Sequence, residues 1–410
     1  MNARFHRLGN GLSLIVDPMA GAQSAAVGLY AAVGSRAEPA GKGGLAHMVE
    51  HMVFKGAGRR DARAIAEAIE DVGGQLNAWT SRDQTAFHAR TLPADVGLAI
   101  GLIADLVRAP LLDPDELERE KGVILSELGE IHDNPEDLAG DLLFEAAFEG
   151  QPLGRPTIGN AESIRGFSRS DLTGWVEGQL TPGRLLLVAT GAVEEDALLR
   201  LAEERFGDMA ERALPPLDPA RFHGGKRIDR RRSEQAHWSF ALAAPSAADP
   251  AMPAAGLFCQ AIGGGMSSRL FQQLREERGL CYSVCSWIVG FADCGLFAVS
   301  AATDRGDAAA SLVLARDVVA RAAGDLSQAE LDRARAQVEA GLLMGLETVH
   351  GRADQHARSF EVFGRLVGMD EMLAELRAVD LAAARAAGET LGSGPVALAS
   401  VGGGALALAA

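Results

Sequence analysis

His47, Glu50 and His51 carry the sharpest chemistry in the sequence. They lie within Gly44-Leu45-Ala46-His47-Met48-Val49-Glu50-His51-Met52-Val53-Phe54, which is otherwise apolar and reads as a helix meant for burial. On a helix, histidines at i and i+4 project from one face, so two imidazoles can share one metal ion. Glu50 stands beside both and can accept a proton from water. Burying two imidazoles with a carboxylate is costly unless a compensating charge is present, and a divalent cation supplies it. The spacing His-x-x-Glu-His is the inverted zincin pattern. The competing reading is a pair of core histidines hydrogen-bonded to a nearby glutamate.

A catalytic zinc takes three protein ligands and keeps one position open for water, so a third ligand must come from elsewhere. The helical pattern at 113–132 offers Glu116, Glu118, Glu120, Glu127 and Glu130. Glu120 and Glu127 fall on nearly the same helical face, two turns apart. Glu127 lies in the apolar stretch Val123-Ile124-Leu125-Ser126-Glu127-Leu128, which marks it for burial ahead of Glu118. Spacing alone does not choose among these carboxylates, and a solvated acidic helix accounts for most of them.

The elements that must hold these groups follow from the pattern of the chain. Strand-like runs at 12–16 and 25–33 precede a glycine-rich turn (Gly41, Gly43, Gly44) and a helix from Leu45 to about Lys55. A helix at 62–72 ends at Gly73-Gly74, helix-stop chemistry. Strands follow at 75–80 and 84–91, then helices at 93–108, 113–132 and 135–149, and a strand at 184–190. Prolines and glycines accumulate at 213–226, which reads as a linker between a domain at 1–212 and a second at 227–410. The second half repeats the order: a strand at 237–243, helices at 254–262 and 267–277, strands at 280–289 and 295–302, helices at 306–322 and 327–349, and a strand at 395–401. This order implies an α+β fold of two duplicated α/β sandwich domains, each an antiparallel-rich sheet with helices packed on one face. Only the first half carries His-x-x-Glu-His.

His-x-x-Glu-His followed by Glu-Lys-Gly-Val-Ile-Leu-Ser-Glu-Leu (120–128) resembles the pitrilysin/insulinase zinc metallopeptidase family, in its short, processing-peptidase-like branch. The likeness extends over nearly the whole chain, including the Leu-Asn-Ala-x-Thr hairpin at 73–80 and Gly150-Gln151-Pro152-Leu153-Gly154-Arg155. It implies that Glu127 is the third ligand to Zn²⁺ and that Glu120 orients a ligating histidine. It implies that Arg275 and Tyr282, in Ser267 to Tyr282, reach substrate as donors to a developing oxyanion. It also implies that a peptide adds as a strand beside Asn77 and Ala78. In the processing branch, acidic residues ten and fourteen positions after the zinc glutamate hold an arginine near the cut; here these are Asp137 and Asp141. The plain alternative for that pair is a solvated N-terminal helix turn. The resemblance further implies one half of a clamshell, a homodimer or a heterodimer with a related subunit.

Composition narrows the partners. The chain has 410 residues, 39 Lys+Arg against 55 Asp+Glu, and a formal net charge of −16. An acidic balance of this size argues against nucleic-acid binding and favours unstructured, basic peptide partners. No apolar run reads as a membrane span, and four cysteines without a regular spacing suit a reducing, cytoplasmic setting. The expected function is a zinc-dependent endopeptidase acting on extended or presequence-like peptides. The alternative is a non-catalytic or partner-dependent peptide-binding subunit.

Overall fold

A computed structural model describes residues 3–212, 217–404 and 406, and the chain divides into two compact units. The first comprises Met1–Leu128, Pro156–Leu217 and Met344–Gly368; the second comprises Gly129–Arg155, Asp218–Leu343 and Met369–Ala410. Each unit therefore takes one segment from the other half of the sequence. Of the linker expected at 213–226, residues 213–216 lie outside the described residues, and 217–224 has no regular structure.

In the first unit the strands are β1 (Arg4–Arg7), β2 (Ser13–Pro18), β3 (Ala25–Ala31), a short pair β4 (Gly56–Ala57) and β5 (Arg60–Asp61), then β6 (Gln75–Thr80), β7 (Thr85–Thr91) and β8 (Leu185–Gly191). Six of them form a mixed sheet in the order β1-β2-β8-β3-β7-β6, so β6 is an edge. Only β2 and β8 run parallel; the other neighbours are antiparallel. The helices that matter for the site are α1 (Leu45–Val53), α2 (Ala62–Glu70), α3 (Val96–Arg108) and α4 (Pro114–Asp133). Asp61 caps α2, accepting from the Ala64 N–H at 2.8 Å, and the chain leaves that helix through Gly73 at φ 67°.

The second unit repeats this plan with β9 (Gly225–Asp229), β10 (Gln235–Ala244), β11 (Cys281–Gly290), β12 (Gly295–Asp304) and β13 (Val396–Val401). Their order is β11-β12-β10-β13-β9, with β13 and β9 parallel and the rest antiparallel. Read from the β6 and β11 edges, the two sheets have the same order and the same strand directions through five strands. The duplication expected from the order of elements is a duplication of topology.

Both faces of each sheet are covered. In the first unit Ala26 and Tyr30 of β3 pack with Ala353 and Ala357 of the helix Val349–Phe363. Val27 and Leu29 point the other way and are equally buried. In the second unit Ala241 and Ala298 pack with Leu143 and Phe144 of α5 (Pro135–Ala147), while Phe240 and Val299 join the opposite cluster with Leu257, Phe258 and Leu312. The helix on the added face is the borrowed one in each case. The single helix expected at 327–349 is two, Gln328–Gly345 and Val349–Phe363. Thr348 starts the second by accepting from the Gly351 N–H at 2.9 Å, a cap that the run of helix formers conceals. Buried ties hold this helix to its sheet: the Tyr30 hydroxyl donates to Asp354 at 2.6 Å, and His356 Nε2 lies 2.7 Å from Asp17, whose carboxyl is held below its ordinary range.

Candidate metal centre

The start of α1 is built by close backbone packing. Gly44 has φ 90°, and a Cβ there would lie 2.3 Å from the Ile158 carbonyl oxygen, so only glycine fits. Buried Glu38 accepts from the N–H groups of Gly44 at 3.0 Å and Ala46 at 2.8 Å, which satisfies donors of the first turn with a carboxylate at the favourable end of the helix dipole. Leu45, Ala46, Met48, Val49, Met52 and Val53 are buried, so the helix is gripped on its apolar faces and its remaining face presents His47, Glu50 and His51.

These side chains meet α4. One donor atom each from His47, His51 and Glu127 can be drawn so that all lie within 4.8 Å of one another. His47 Nε2 lies 3.8 Å from Glu127 Oε1, and His51 Nε2 lies 3.8 Å from Glu127 Oε2. The imidazole centroids are 4.6 Å apart with their planes at 60°. These separations are too long for hydrogen bonds and suit three donors around one ion. Glu120, one of the alternatives left open by spacing, is elsewhere: its Oε2 is 3.1 Å from His51 Nδ1 and its Oε1 pairs with Lys55 Nζ at 2.6 Å. With side-chain exposures of 4% for Glu120 and 40% for Glu127, the buried carboxylate lies against His51 Nδ1 and the more open one belongs to the donor cluster. A proton held on His51 Nδ1 by Glu120 leaves the Nε2 lone pair free toward Glu127.

The residues fit a zinc ion on grounds independent of motif. Burial, and then the neighbouring His51, push the His47 imidazole down to about 4, so it stands neutral, the form that binds metal. Burial also pushes the Glu50 carboxyl above its ordinary range, as a general base near neutral pH requires. Buried Glu50 Oε2 and His47 Nδ1 have no hydrogen-bond partner among the described residues, the signature of polar groups that wait for something else. The donor set of two imidazoles and a carboxylate is that of a catalytic zinc site with an open position.

Beside this cluster runs β6. Asn77 is exposed and Ala78 is buried, and the Ala78 N–H donates to Asn77 Oδ1 at 2.9 Å. The other residues singled out from sequence belong to the second unit. Arg275 lies in Phe271–Glu276, a stretch wound as a π-helix rather than the ordinary helix expected across 267–277. Its guanidinium carbon is 4.6 Å from the Phe271 ring centroid and 5.2 Å from that of Tyr282, whose residue is 75% exposed on β11. Asp137 and Asp141 lie on α5, where Asn134 caps the helix and donates to Asp137 Oδ2 at 2.6 Å. Sequence reasoning missed Glu38 and Lys55. Lys55 is detectable at i+4 from His51; the Glu38 contact spans a glycine-rich turn and carries no local signal.

No helix among the described residues is long and apolar enough to cross a membrane. The family described as insulinase (peptidase family M16) matches residues 15–161, and the peptidase M16 inactive domain matches residues 166–338. An uncharacterized zinc protease of Mycobacterium leprae is 36% identical over 376 residues, covering 90% of this chain and 84% of that protein. One from Streptomyces coelicolor is 34% identical over 382 residues, covering 91% and 83%. Among solved structures, a peptidase M16 inactive domain from Pseudomonas fluorescens superposes with a TM-score of 0.91 at 22% identity, covering 99% of both chains. At that identity the likeness speaks for the fold.

Proposed function

The chain belongs to the insulinase family, peptidase family M16, and is a zinc-dependent protease; on that premise we propose that it cuts extended, unstructured peptides internally, in the manner of the processing-peptidase branch. The observation that carries this reading is the convergence of His47, His51 and Glu127 beside Glu50, whose Oε2 has no hydrogen-bond partner among the described residues. Zinc held by those three residues supplies Lewis acidity, acidifying a water and polarising a carbonyl. Glu50 takes the water's proton and passes it to the leaving amine. Glu120 keeps His51 in the correct tautomer and orientation. The free edge of β6 offers main-chain groups at Asn77 and Ala78 to an extended peptide, which gives affinity tolerant of sequence and excludes folded chains.

Arg275 and Tyr282 complete the proposed machinery as donors to the tetrahedral oxyanion. They act from the same chain or from a second copy in a homodimer or a related heterodimer. Mixing Glu50→Gln protein with Tyr282→Phe protein decides between these, since restored activity requires donors supplied across subunits. The acidic chain favours basic peptides in a cytoplasmic setting, and Asp137 with Asp141 would favour an arginine two residues before the cut. Equal rates on matched arginine and alanine peptides would remove that preference.

The test of the whole reading is incubation with unstructured basic peptides, with and without a zinc chelator, and mass spectrometry of the products. Chelator-sensitive internal cuts are expected. Absence of cuts by zinc-loaded protein would favour the peptide-binding subunit instead.

A further inference from the structure

The cations around α4 are shared out so that its carboxylates have different fates. Glu116 accepts from Arg119 Nε at 3.2 Å, and Glu118 accepts from Lys121 Nζ at 2.7 Å, both within the helix at i and i+3. Glu120 takes its cation from beyond the end of α1, pairing with Lys55 Nζ at 2.6 Å. Glu127 pairs with no lysine or arginine among the described residues; its partners are His47 and His51. The proposed catalysis gives Lys55 no task.

The backbone fixes where Lys55 stands. α1 ends at Val53, yet the Phe54 N–H donates to the His51 carbonyl at 3.2 Å and the Lys55 N–H to the Met52 carbonyl at 3.1 Å, so the turn carries through. On the other side the Gly56 carbonyl accepts from the Leu111 N–H at 2.8 Å, and the Gly58 N–H donates to the Ala109 carbonyl at 2.8 Å. Lys55 is thus held between α1 and the segment that leads into α4. One turn apart, His51 and Lys55 grip a single carboxylate by its two oxygens: His51 Nδ1 lies 3.1 Å from Glu120 Oε2, and Lys55 Nζ lies 2.6 Å from Oε1. Glu120 is buried, and a carboxylate taken out of water is stable only where both oxygens are satisfied and a counter-charge is near. The lysine supplies the counter-charge; the histidine alone does not.

We propose that Lys55 is a positioning residue of the metal centre. By holding Glu120 Oε1 it keeps Oε2 on His51 Nδ1, and so keeps the His51 Nε2 lone pair turned toward Glu127 for the metal. The proposal rests on the reading of His47, His51 and Glu127 as the zinc ligands. The lysine side chain is 32% exposed, so methionine in its place retains the apolar stem and removes the charge.

The experiment is zinc affinity of the full-length chain, measured by competition with a chelator of known strength. Lys55→Met should weaken binding about 10-fold, the low end of the loss expected for partners beyond the ligands, because Lys55 acts through Glu120. Lys55→Arg keeps a cation in reach and should return the affinity to within about 2-fold of wild type. In a Glu120→Gln background Lys55→Met should change affinity by less than about 2-fold, since the group it acts through is already neutral. Thermal unfolding of the metal-free proteins separates loss of fold from loss of metal. Unchanged zinc affinity in Lys55→Met, with or without a lower melting temperature, would make Lys55 purely structural and overturn the proposal. A full loss that persists in the Glu120→Gln background would overturn it as well, because Lys55 would then act without Glu120. An equal loss in Lys55→Met and Lys55→Arg would trace the effect to packing of the stem. Failure of both Lys55→Met and Lys55→Gln to fold would assign the residue to the fold and also overturn the proposal. The readout is metal binding, so a chain that shows these shifts but cuts no peptide would sink the peptidase reading and leave the role of Lys55 standing.

Discussion

The two units share a five-strand order and strand directions, yet they place different chemistry at the same point of the plan. In the first unit the helix after β3 is α1, with His47, Glu50 and His51, and Glu127 of α4 faces it. In the second the helix after β10 is Met252–Gly263, carrying Phe258 and Cys259, and the later helix is Gln328–Gly345. Those two are bridged by a neutral amide pair, Gln260 Nε2 donating to Gln337 Oε1 at 3.0 Å. Cys259 is buried against Ser286, and burial pushes its thiol up to about 12, far from the thiolate a metal would need. One scaffold thus gives a metal site or a packed helix pair according to a handful of side chains. The fold alone does not make the enzyme.

The comparison breaks first at the metal. His47→Ala removes one of the three donors gathered in the first unit. Bound zinc should fall from about one per chain to near zero, and peptide cleavage to the uncatalysed background. Metal analysis beside the peptide assay checks both. If cleavage survived with zinc absent, the asymmetry between the units would not be the basis of activity. Glu50→Gln separates binding from chemistry. Zinc content should stay unchanged while kcat drops by about 10²- to 10⁴-fold, the contribution of a positioned general base. Glu120→Gln touches neither metal nor substrate, but it weakens the hold on His51 Nδ1 and leaves Lys55 without its partner charge. Zinc affinity should weaken roughly 10- to 100-fold in a chelator competition titration. An unchanged affinity would assign Glu120 to Lys55 and the fold instead.

How much of this was legible in the sequence depends on the range of the interaction. His47, Glu50 and His51 sit within one helix, so periodicity places them on a common face before any tertiary information exists. The edge strand at 75–80 is similarly local, bounded by Gly73-Gly74 and a polar turn. Choosing between Glu120 and Glu127 was not local, because both lie on the same face of α4 and only the approach of α1 tells them apart. The exchange of α5 and the helix Val349–Phe363 between units was invisible for the same reason. Each continues a helical run, and only the apolar faces of two distant sheets decide where it packs. Thr348 and Gly345 were the available signal for the break at 346–348, and propensity summed over the window outweighed them. The π-helix at 271–276 has no pattern that distinguishes it from an ordinary turn of helix.

The smallest expected effect lies in an ion-pair cluster of the second unit. Arg269 clasps Glu330 through two hydrogen bonds of 2.5 and 2.8 Å and also pairs with Asp325. The Arg269 hydrogen bonds, aided by Ser327, hold the Glu330 carboxyl at about 2 against an ordinary 4.5. A carboxyl whose folded value is depressed contributes stability in full above the unfolded value and loses it as pH falls through the folded one. The contribution of Glu330 is therefore complete above about pH 4.5 and disappears by about pH 2. The group is partly solvated, so screening reduces its worth to about 1 kcal/mol at neutral pH. Urea unfolding of the full chain, wild type against Glu330→Gln, should differ by that amount at pH 7 and converge as the pH approaches 2. A difference that persists unchanged at low pH would trace the effect to packing or to the Ser327 cap. A difference at pH 7 that vanishes in high salt would show that charge ties Arg269 to the helix Gln328–Gly345.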